Sequence, residues 1–312
     1  MIFVVQGLWY NVDMNLPPAL VRTLHSVHDD AGPWLEALPV YLKHLEQSWH
    51  IQFVELVEDL SYNVVAFAEG EDGIPYVLKM SPPGNEFLQE VTALKLYDGD
   101  GIARLIRADE AGGAMLLERL HPGVSFWRSD DDELATRTCA ELLVQLWRPV
   151  EDTSHLRTLR SWAEELFTYP DTYAEGGPIP LQLVQKAITL LENLLKNDDA
   201  PVLLHADLHH GNILSATRQP YLAIDPKGIV GARGYDVGTF LGNPAGVARR
   251  TDLDKLLDTR LSIFSEMLSV AKTELIAWSF VHDVLSACWT IDETGQMAEG
   301  VLFVSERLDG FL

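Results

Sequence analysis

The sequence predicts an α+β protein with two unequal lobes, a small lobe built on an antiparallel sheet and a larger helical lobe. Short β-branched runs separated by turns occupy residues 51–120. Apolar residues at three- and four-residue spacing occupy most of the chain after residue 121, and a polar stretch at 202–231 interrupts them. A chain of 312 residues with 47% apolar residues can bury such a core, so we expect lobes at 1–120 and 121–312.

Two short helices are expected first. Leu20, Leu24 and Val27 recur at helical spacing, and after a Gly-Pro break the pattern continues to residue 47. The first residues are apolar but lack a cationic leader and a small-residue cleavage site, so they make a poor signal peptide. Met14 is a competing start, because from there the sequence is typical of an ordinary helical domain.

From residue 51 the pattern changes to runs that favour strands. Three of these runs predict an antiparallel meander, at 53–57, 64–68 and 76–80. Asn85 is expected to cap a helix at 86–97. Two further strands complete a predicted five-stranded sheet, at 102–107 and 114–120.

Pro122 and Gly123 mark the expected boundary, and helical spacing dominates beyond them. The predicted helices of this lobe are 132–147, 156–167, 181–195, 253–270, 272–291 and 301 to the end. The polar stretch adds two short strands, at 202–204 and 221–224. Cys139 and Cys288 lie inside apolar helical patterns, which favours buried thiols and a reducing compartment such as the cytoplasm over a disulfide framework.

The formal net charge of −23 argues against nucleic acid and anionic membrane surfaces as partners, because their phosphates would be repelled. A cationic small substrate would be attracted. The alternative is that the acidity serves only solubility or reflects an acidic cytoplasm. No stretch of the sequence is long and apolar enough to span a bilayer.

The polar stretch presents two carboxylates, Asp207 and Asp225, each after a short apolar run. Asn212 follows Asp207 by five positions. A kinase-type phosphoryl transfer site needs these groups: an aspartate that accepts the hydroxyl proton, and an asparagine with a second aspartate that hold Mg²⁺. The alternative is that His205 and Asn212 are loop residues that satisfy backbone groups.

Lys79 lies at the end of the apolar third strand, where a lysine has no structural reason to be. A kinase uses a lysine there to pair with nucleotide phosphates and with a glutamate of the next helix. Glu90 is the chosen partner and Glu86 the reserve; the alternative is a lysine that snorkels to solvent. In the turn before the second strand, kinases carry a glycine-rich loop that covers the phosphates. Here Ser61 and Asn63 are the candidate hydrogen-bond donors to phosphate, and the alternative is that they only form a turn.

Glu118 and Leu120 lie where the lobes would join, and their backbone groups are expected to read an adenine edge. A different hypothesis takes His209 and His210, close to Asp207, as part of a zinc site. The other histidines are scattered along the chain, which disfavours that hypothesis.

Four segments carry a resemblance to a known family: His205-Ala-Asp-Leu-His-His-Gly-Asn-Ile-Leu, Ala223-Ile-Asp-Pro-Lys-Gly-Ile-Val-Gly, Tyr235-Asp236 and Gly32-Pro-Trp-Leu-Glu-Ala-Leu-Pro. With them the chain resembles the aminoglycoside phosphotransferase family, and in particular its streptomycin and hydroxyurea phosphotransferase branch. The resemblance covers nearly everything from Leu16 onward.

The resemblance implies a bilobal protein-kinase-like fold and a site with assigned roles. Asp207 is the base, Asn212 and Asp225 hold Mg²⁺, Lys79 binds the phosphates of ATP or GTP, and Lys227 contacts phosphate or balances charge. Protein-kinase features are missing, since alanine replaces the arginine of the catalytic loop and no Ala-Pro-Glu segment follows. A small-molecule acceptor is therefore favoured. A metabolic kinase with another acceptor and a non-catalytic nucleotide-binding protein are the alternatives.

The acceptor is expected to meet acidic groups of the helical lobe, with an aromatic ring as a flat wall. The candidates are Asp236, Asp283, Trp289, Asp292 and Glu293. The alternative for each of them is a helix cap or a packing residue.

Overall fold

The computed structural model describes residues 15–58, 60–196, 200–244, 246–297 and 302–312. The alternative start at Met14 lies outside these ranges. Within them, no helix combines the length and the apolar character that crossing a membrane requires.

Two helices lead the chain, α1 (Pro18–Val27) and α2 (Ala31–Trp49), as predicted. Pro18 suits the first turn of α1, where a missing N–H leaves no helical bond unmade. The apolar faces of both helices pack on one face of the sheet, where Leu20, Leu38 and Leu42 join Val64 and other sheet residues in one buried cluster.

A five-stranded antiparallel sheet follows, in the order β1-β2-β3-β5-β4, which confirms the predicted meander. Its strands are β1 (Ile51–Leu56), β2 (Val64–Gly70), β3 (Pro75–Met80), β4 (Leu105–Asp109) and β5 (Ala114–Glu118). Lys79 lies in β3, opposite Val65 of β2 and Met115 of β5. Because side chains alternate along a strand, Leu78 and Met80 pack toward α1 and α2, and Lys79 faces the other side.

Helix α3 (Asn85–Tyr97) connects β3 to β4. The prediction that Asn85 caps this helix is wrong: Gly84, in extended backbone, is the N-cap, and no side chain accepts a capping hydrogen bond there. Asn85 is instead the first helical residue. Glu86 in the first turn offsets the positive end of the helix dipole.

The larger lobe is mainly helical. Its helices are α4 (Asp132–Leu146), α5 (Leu159–Trp162), α6 (Glu164–Thr172), α7 (Leu181–Lys196), α8 (Val237–Leu241), α9 (Leu253–Leu268), α10 (Lys272–Thr294) and α11 (Phe303–Leu308). Its strands are β6 (Arg157–Thr158), β7 (Val202–Leu204), β8 (Ile213–Ser215), β9 (Tyr221–Ala223) and β10 (Ile229–Gly231). Cys139 and Cys288 are buried free thiols, as predicted.

The single helix predicted at 156–167 is wrong. Arg157 and Thr158 form β6, which pairs in parallel with β10, and the Thr158 hydroxyl then caps α5 by accepting the N–H of Ser161 at 3.2 Å. A new helix, α6, begins at Glu164. The apolar spacing was compatible with one helix, but pairing with a strand about seventy residues away overrides local propensity.

Two small sheets place the ends of the polar stretch together. β7 pairs antiparallel with β10, with Leu204 opposite Ile229. β8 and β9 form a hairpin, and the N–H of Ile224 donates to the carbonyl of Asn212 at 3.0 Å. The segments after β7 and β9, which carry the predicted base Asp207 and the predicted Mg²⁺ ligand Asp225, therefore leave these sheets close to each other.

Candidate active site

Three hydrogen bonds to backbone groups hold the loop after β7, which carries Asp207. The N–H of Asp207 donates to Nδ1 of His205 at 3.2 Å, so the ring proton is on Nε2, which donates to the carbonyl of Ile224 at 2.9 Å. Burial lowers the pKa of His205 to about 3, which keeps this ring neutral. The carbonyl of His205 in turn accepts the N–H of Lys227 at 2.8 Å. His205 thus connects the Asp207 loop to the segment that bears Asp225.

Lys79 and Glu90 form a buried ion pair between the sheet and α3. The Lys79 ammonium donates to both carboxylate oxygens of Glu90, at 2.8 and 2.7 Å, whereas Glu86 is exposed on the same helix. Burial alone would lower the pKa of Lys79, but Asp225 and Glu90 outweigh it and raise the pKa above its usual value. Lys79 therefore stays cationic, as a phosphate-binding lysine must.

Asp225 and Asp207 share the ammonium of Lys227. Its Nζ lies 3.4 Å from Oδ2 of Asp207 and 3.4 Å from Oδ2 of Asp225, while Oδ1 of Asp225 contacts Lys79. Burial alone would raise the pKa of Asp225, but Lys227 and Lys79 outweigh it and hold the pKa below its usual range. For Asp207, burial raises the pKa against the opposing charge of Lys227, which makes it the better proton acceptor of the two.

Asn212 and Asp225 fit a hard divalent cation. The Asn212 side-chain nitrogen donates to the carbonyl of Asp207 at 2.9 Å, so its oxygen is turned the other way. One amide oxygen and one ionised carboxylate are ligands that Mg²⁺ prefers, and nucleotide phosphates and water ordinarily complete its coordination. The hairpin of β8 and β9 fixes the separation of these two groups.

The prediction that Asp236 contacts an acceptor does not fit the structure. Its side chain is fully buried, and it accepts the N–H of Ala206 at 2.6 Å, the N–H of His205 at 3.3 Å and the indole N–H of Trp147 at 2.8 Å. Burial raises the pKa of Asp236 to about 6, against these hydrogen bonds. With no exposed surface, Asp236 positions the Asp207 loop and does not contact an acceptor.

Gln89 was missed by the sequence reasoning. Its side-chain amide donates to the carbonyl of His155 at 2.8 Å and accepts the N–H of Arg157 at 2.9 Å, as a strand would. Gly228, at φ +64°, lies against the same helix, and a Cβ there would lie 2.7 Å from the carbonyl oxygen of Gln89. Two neighbouring segments of the larger lobe, residues 155–157 and Gly228, therefore contact the helix that carries Glu90. A glutamine beside the glutamate on a helix has no sequence signal that separates it from a solvated residue.

Glu118 takes a side-chain role at the lobe junction that was not predicted. Its carboxylate accepts from the guanidinium of Arg218 at 3.2 and 2.9 Å and from the N–H of Arg104 at 3.1 Å. Its own N–H donates to the carbonyl of Arg104 at 2.9 Å. The adenine contact of the Glu118 and Leu120 backbones stays a prediction. Leu120 packs with Leu222 of the hairpin formed by β8 and β9.

Ser61 and Asn63 lie in the connection between β1 and β2, Ser61 exposed and Asn63 half-buried. Residue 59 of that connection is outside the described ranges. A phosphate contact for Ser61 and Asn63 stays a prediction.

The histidines of the zinc hypothesis face other partners. His209 accepts the N–H of Gly211 at 2.9 Å through Nδ1, and His210 stacks on Phe240 with ring centroids 4.0 Å apart. The guanidinium of Arg260 lies 3.4 Å from Nε2 of His210. Over the described ranges, no three His, Cys, Asp or Glu side chains are grouped in a way that could hold a metal ion.

The other acceptor candidates are on α10. Asp283 is buried and accepts the N–H of Ser305 at 2.8 Å, which is a structural contact and does not fit the predicted contact with an acceptor. Trp289 is half-buried and Asp292 is exposed. The side chain of Glu293 lies outside the described part of the chain.

Comparisons with known proteins identify the family of the chain. A family profile described as "Aminoglycoside/hydroxyurea antibiotic resistance kinase" matches residues 48–295. A streptomycin 6-kinase from Streptomyces glaucescens is 27% identical over 284 residues, covering 90% of this chain and 92% of the relative. A hydroxyurea phosphotransferase from Kitasatospora aureofaciens is 28% identical over 306 residues, covering 95% of this chain and 86% of the relative.

Among solved structures, a choline kinase from Streptococcus pneumoniae superimposes with a TM-score of 0.65 at 14% identity, covering 88% of this chain and 98% of that chain. At that identity the likeness shows the fold alone. It confirms the predicted kinase-like arrangement of a small sheet lobe and a larger helical lobe.

Proposed function

The chain belongs to the aminoglycoside/hydroxyurea antibiotic resistance kinase family and is a phosphotransferase that acts on hydroxyl groups; from this premise we propose that it transfers the γ-phosphate of ATP or GTP, with Mg²⁺, to a small cationic acceptor. One observation carries the proposal. The structure brings Lys79, Glu90, Asp207 and Asp225 into one connected set of contacts, although they lie on separate segments of the chain.

In the proposed mechanism the protein orients and neutralises the reacting groups. Lys79, held by Glu90, binds the nucleotide phosphates. Asn212 and Asp225 would hold Mg²⁺, which supplies positive charge to the transferred phosphoryl group. Lys227 lies between the carboxylates of Asp207 and Asp225 and adds a second ammonium group beside the negative charges of these carboxylates and of the phosphates.

Asp207 acts on the acceptor. Its carboxylate accepts the proton of the acceptor hydroxyl as the oxygen attacks the γ-phosphorus in line with the leaving group. The pKa of Asp207, raised by burial, strengthens it as a base, and Lys227 keeps it ionised until the hydroxyl arrives.

Streptomycin is the leading acceptor within this proposal, and antibiotic resistance the leading biological role. The support is the streptomycin 6-kinase relative together with the formal net charge of −23, which attracts a cation. Hydroxyurea is the second candidate, because a hydroxyurea phosphotransferase is as similar to the chain. Two buried, unpaired cysteines support a reducing cytoplasm as the location, and the acidity supports partners other than nucleic acid.

A coupled kinase assay tests the proposal over streptomycin, other aminoglycosides, hydroxyurea and sugar alcohols, each with ATP and with GTP. We expect Mg²⁺-dependent turnover of streptomycin that falls about 10²-fold or more in Asp207→Asn. Turnover of a different acceptor, with none of streptomycin, would refute streptomycin as the acceptor and would still support kinase activity. Magnesium-dependent nucleotide binding with no transfer to any acceptor would favour a non-catalytic nucleotide-binding protein.

A further inference from the structure

The guanidinium of Arg218 joins separate segments of the chain at the junction of the lobes. Arg218 lies in the turn between β8 and β9. Its Nη1 donates to the carbonyl of Gly99 at 2.7 Å, and its Nη2 donates to the carbonyl of Ile102 at 2.9 Å. Nε and Nη2 also donate to the two carboxylate oxygens of Glu118, at 3.2 and 2.9 Å. One side chain therefore connects the hairpin turn to the end of β5 and to the loop between α3 and β4.

Further hydrogen bonds attach the same hairpin to the same junction. The N–H of Ala103 donates to the carbonyl of Ala223 in β9, and the N–H of Ala223 donates to the carbonyl of Gly101, each at 2.9 Å. The Thr217 hydroxyl donates to the carbonyl of His121, also at 2.9 Å. The hairpin therefore contacts the lobe junction along its length as well as at its turn.

The opposite end of the hairpin carries the predicted metal ligands. Asn212 directly precedes β8, and Asp225 follows the end of β9 by two residues. The two strands pair over three residues each, with Ile213 opposite Ala223. Three strand residues span roughly 10 Å. Because paired strands share their hydrogen bonds, contacts that fix the turn also fix the end that bears the metal ligands.

The two parts of the proposed nucleotide meet this hairpin unit at different places. The nucleobase is predicted to contact the backbones of Glu118 and Leu120, and the phosphates are predicted to reach Mg²⁺ at Asn212 and Asp225. The guanidinium that holds Glu118 also holds the hairpin turn, so the separation of the two contacts is fixed before a nucleotide arrives. A ligand with two linked ends binds more tightly when its two contacts are already at the right separation.

A surface ion pair that serves only stability is the alternative. Isolated exposed ion pairs contribute little, but a two-pronged arginine–carboxylate pair within a network is geometrically specific. Burial alone would raise the pKa of Glu118, but hydrogen bonds from Arg218 and from the N–H of Arg104 outweigh it and lower the pKa, so the carboxylate is ionised. Lysine would keep the charge of Arg218 but not the planar fork that reaches these acceptors together.

We propose that Arg218 is a positioning residue that fixes the separation between the nucleobase contact and the metal ligands, so that the base of the nucleotide strengthens binding of its triphosphate. This inference rests on the proposed function, because it concerns the nucleotide donor of that reaction. Arg218 acts through Glu118 and through the hairpin. The contact of Lys79 with Asp225 does not depend on Arg218, so loss of the guanidinium should weaken the contribution of the base and spare that of the phosphates.

Arg218→Lys tests this role by calorimetric binding of two ligands in the presence of Mg²⁺. One ligand is ATP or GTP, whichever binds the wild-type chain more tightly, and the other is inorganic tripolyphosphate, which lacks a base. We expect the wild-type chain to bind the nucleotide more tightly than tripolyphosphate. In Arg218→Lys the affinity for the nucleotide should fall about tenfold, as loss of hydrogen bonds to a charged group does. The affinity for tripolyphosphate should change little.

Arg148→Lys is the matched control. Arg148 also donates to backbone carbonyls, those of Leu96 and Tyr97 at 3.2 Å each, and pairs with Asp100 at 3.3 Å. These contacts join the end of α3 to the segment after α4. Thermal unfolding should show a comparable loss of stability in Arg148→Lys and Arg218→Lys, but the ratio of the two ligand affinities should stay at the wild-type value in the control.

A selective loss of nucleotide affinity in Arg218→Lys supports the proposal even if no acceptor is phosphorylated. An equal loss for both ligands, or no loss, overturns the proposal and leaves the kinase activity, which the acceptor assay tests separately. A wild-type chain that binds tripolyphosphate as tightly as ATP and GTP also overturns it. If Arg218→Lys does not fold, Glu118→Gln is measured in its place and must give the same selective loss.

Discussion

The Asp236 carboxylate accepts the backbone N–H of Ala206 at 2.6 Å, and Ala206 has a positive φ of 63°. Non-glycine residues seldom adopt that backbone conformation, because it costs free energy that surrounding contacts must offset. Asp236 offsets it from a fully buried position and so fixes the residue directly before the proposed base.

Asp236→Asn is expected to lower kcat about 10²-fold, because a small displacement of a catalytic group costs on that order. The amide presents one acceptor where the carboxylate serves three donors. Nucleotide binding by calorimetry should change much less than kcat. Asp252→Asn, at an exposed residue, is the control; an unchanged kcat in Asp236→Asn would contradict the positioning role.

Asp207→Asn removes the proposed base while retaining its size. We expect kcat to fall about 10²-fold or more, as loss of a positioned general base does. The affinity for Mg²⁺ and nucleotide should be retained, since Asn212 and Asp225 remain. Steady-state kinetics on the purified variant measure the change in kcat. Near-normal turnover would contradict the assignment of Asp207 as the base.

Glu90→Gln tests the ion pair with Lys79 against a matched control, Glu86→Gln, one turn earlier on α3. Glu90 is buried and bonded to Lys79, whereas Glu86 is exposed. Loss of one charge of a buried pair should lower kcat/KM for the nucleotide about tenfold or more. Equal effects of the two substitutions would show that α3 does not position Lys79.

Gln89→Ala removes the two hydrogen bonds that join α3 to residues 155–157. Each such bond contributes about 1 kcal/mol, so the expected loss is about 2 kcal/mol of unfolding free energy. We also expect a higher KM for the nucleotide, because α3 carries Glu90. Thr92→Ala is the control, since the Thr92 hydroxyl donates only within its own helix, to the carbonyl of Leu88. A loss of stability with an unchanged nucleotide KM would limit Gln89 to a structural role.

Asp283→Asn should change how stability depends on pH. Burial raises the pKa of Asp283 to about 7 in the folded protein, well above the value of an exposed aspartate. Between these two values the folded state binds more protons than the unfolded state, so this group lowers stability as the pH rises toward 7. The asparagine keeps an oxygen for the N–H of Ser305 and does not titrate.

Asp283→Asn should therefore be more stable than the wild-type chain at pH 8, and the difference should shrink toward pH 4. Thermal unfolding of both proteins across this range measures the difference. A difference that does not vary with pH would contradict the raised pKa.

Sequence reasoning correctly predicted the meander, the leading helices and the pairing of Lys79 with Glu90, because each depends on residues close together in the chain. It also selected Asp207, Asn212 and Asp225 as candidates, which stay a prediction, because the spacing of such a loop and hairpin is local. It failed at 156–167, where pairing of β6 with β10 decides the backbone.

Sequence alone determined the fold class, the family and the residues that carry the proposed chemistry, because periodicity and motif spacing are encoded over short segments. Tertiary structure decided which acidic residues are buried supports and which are exposed. Asp236 and Asp292 were both predicted to meet an acceptor, but Asp236 is buried and accepts backbone N–H groups about thirty residues away, whereas Asp292 is exposed. That difference is a matter of which donors come within hydrogen-bond distance, and only the folded chain brings them there.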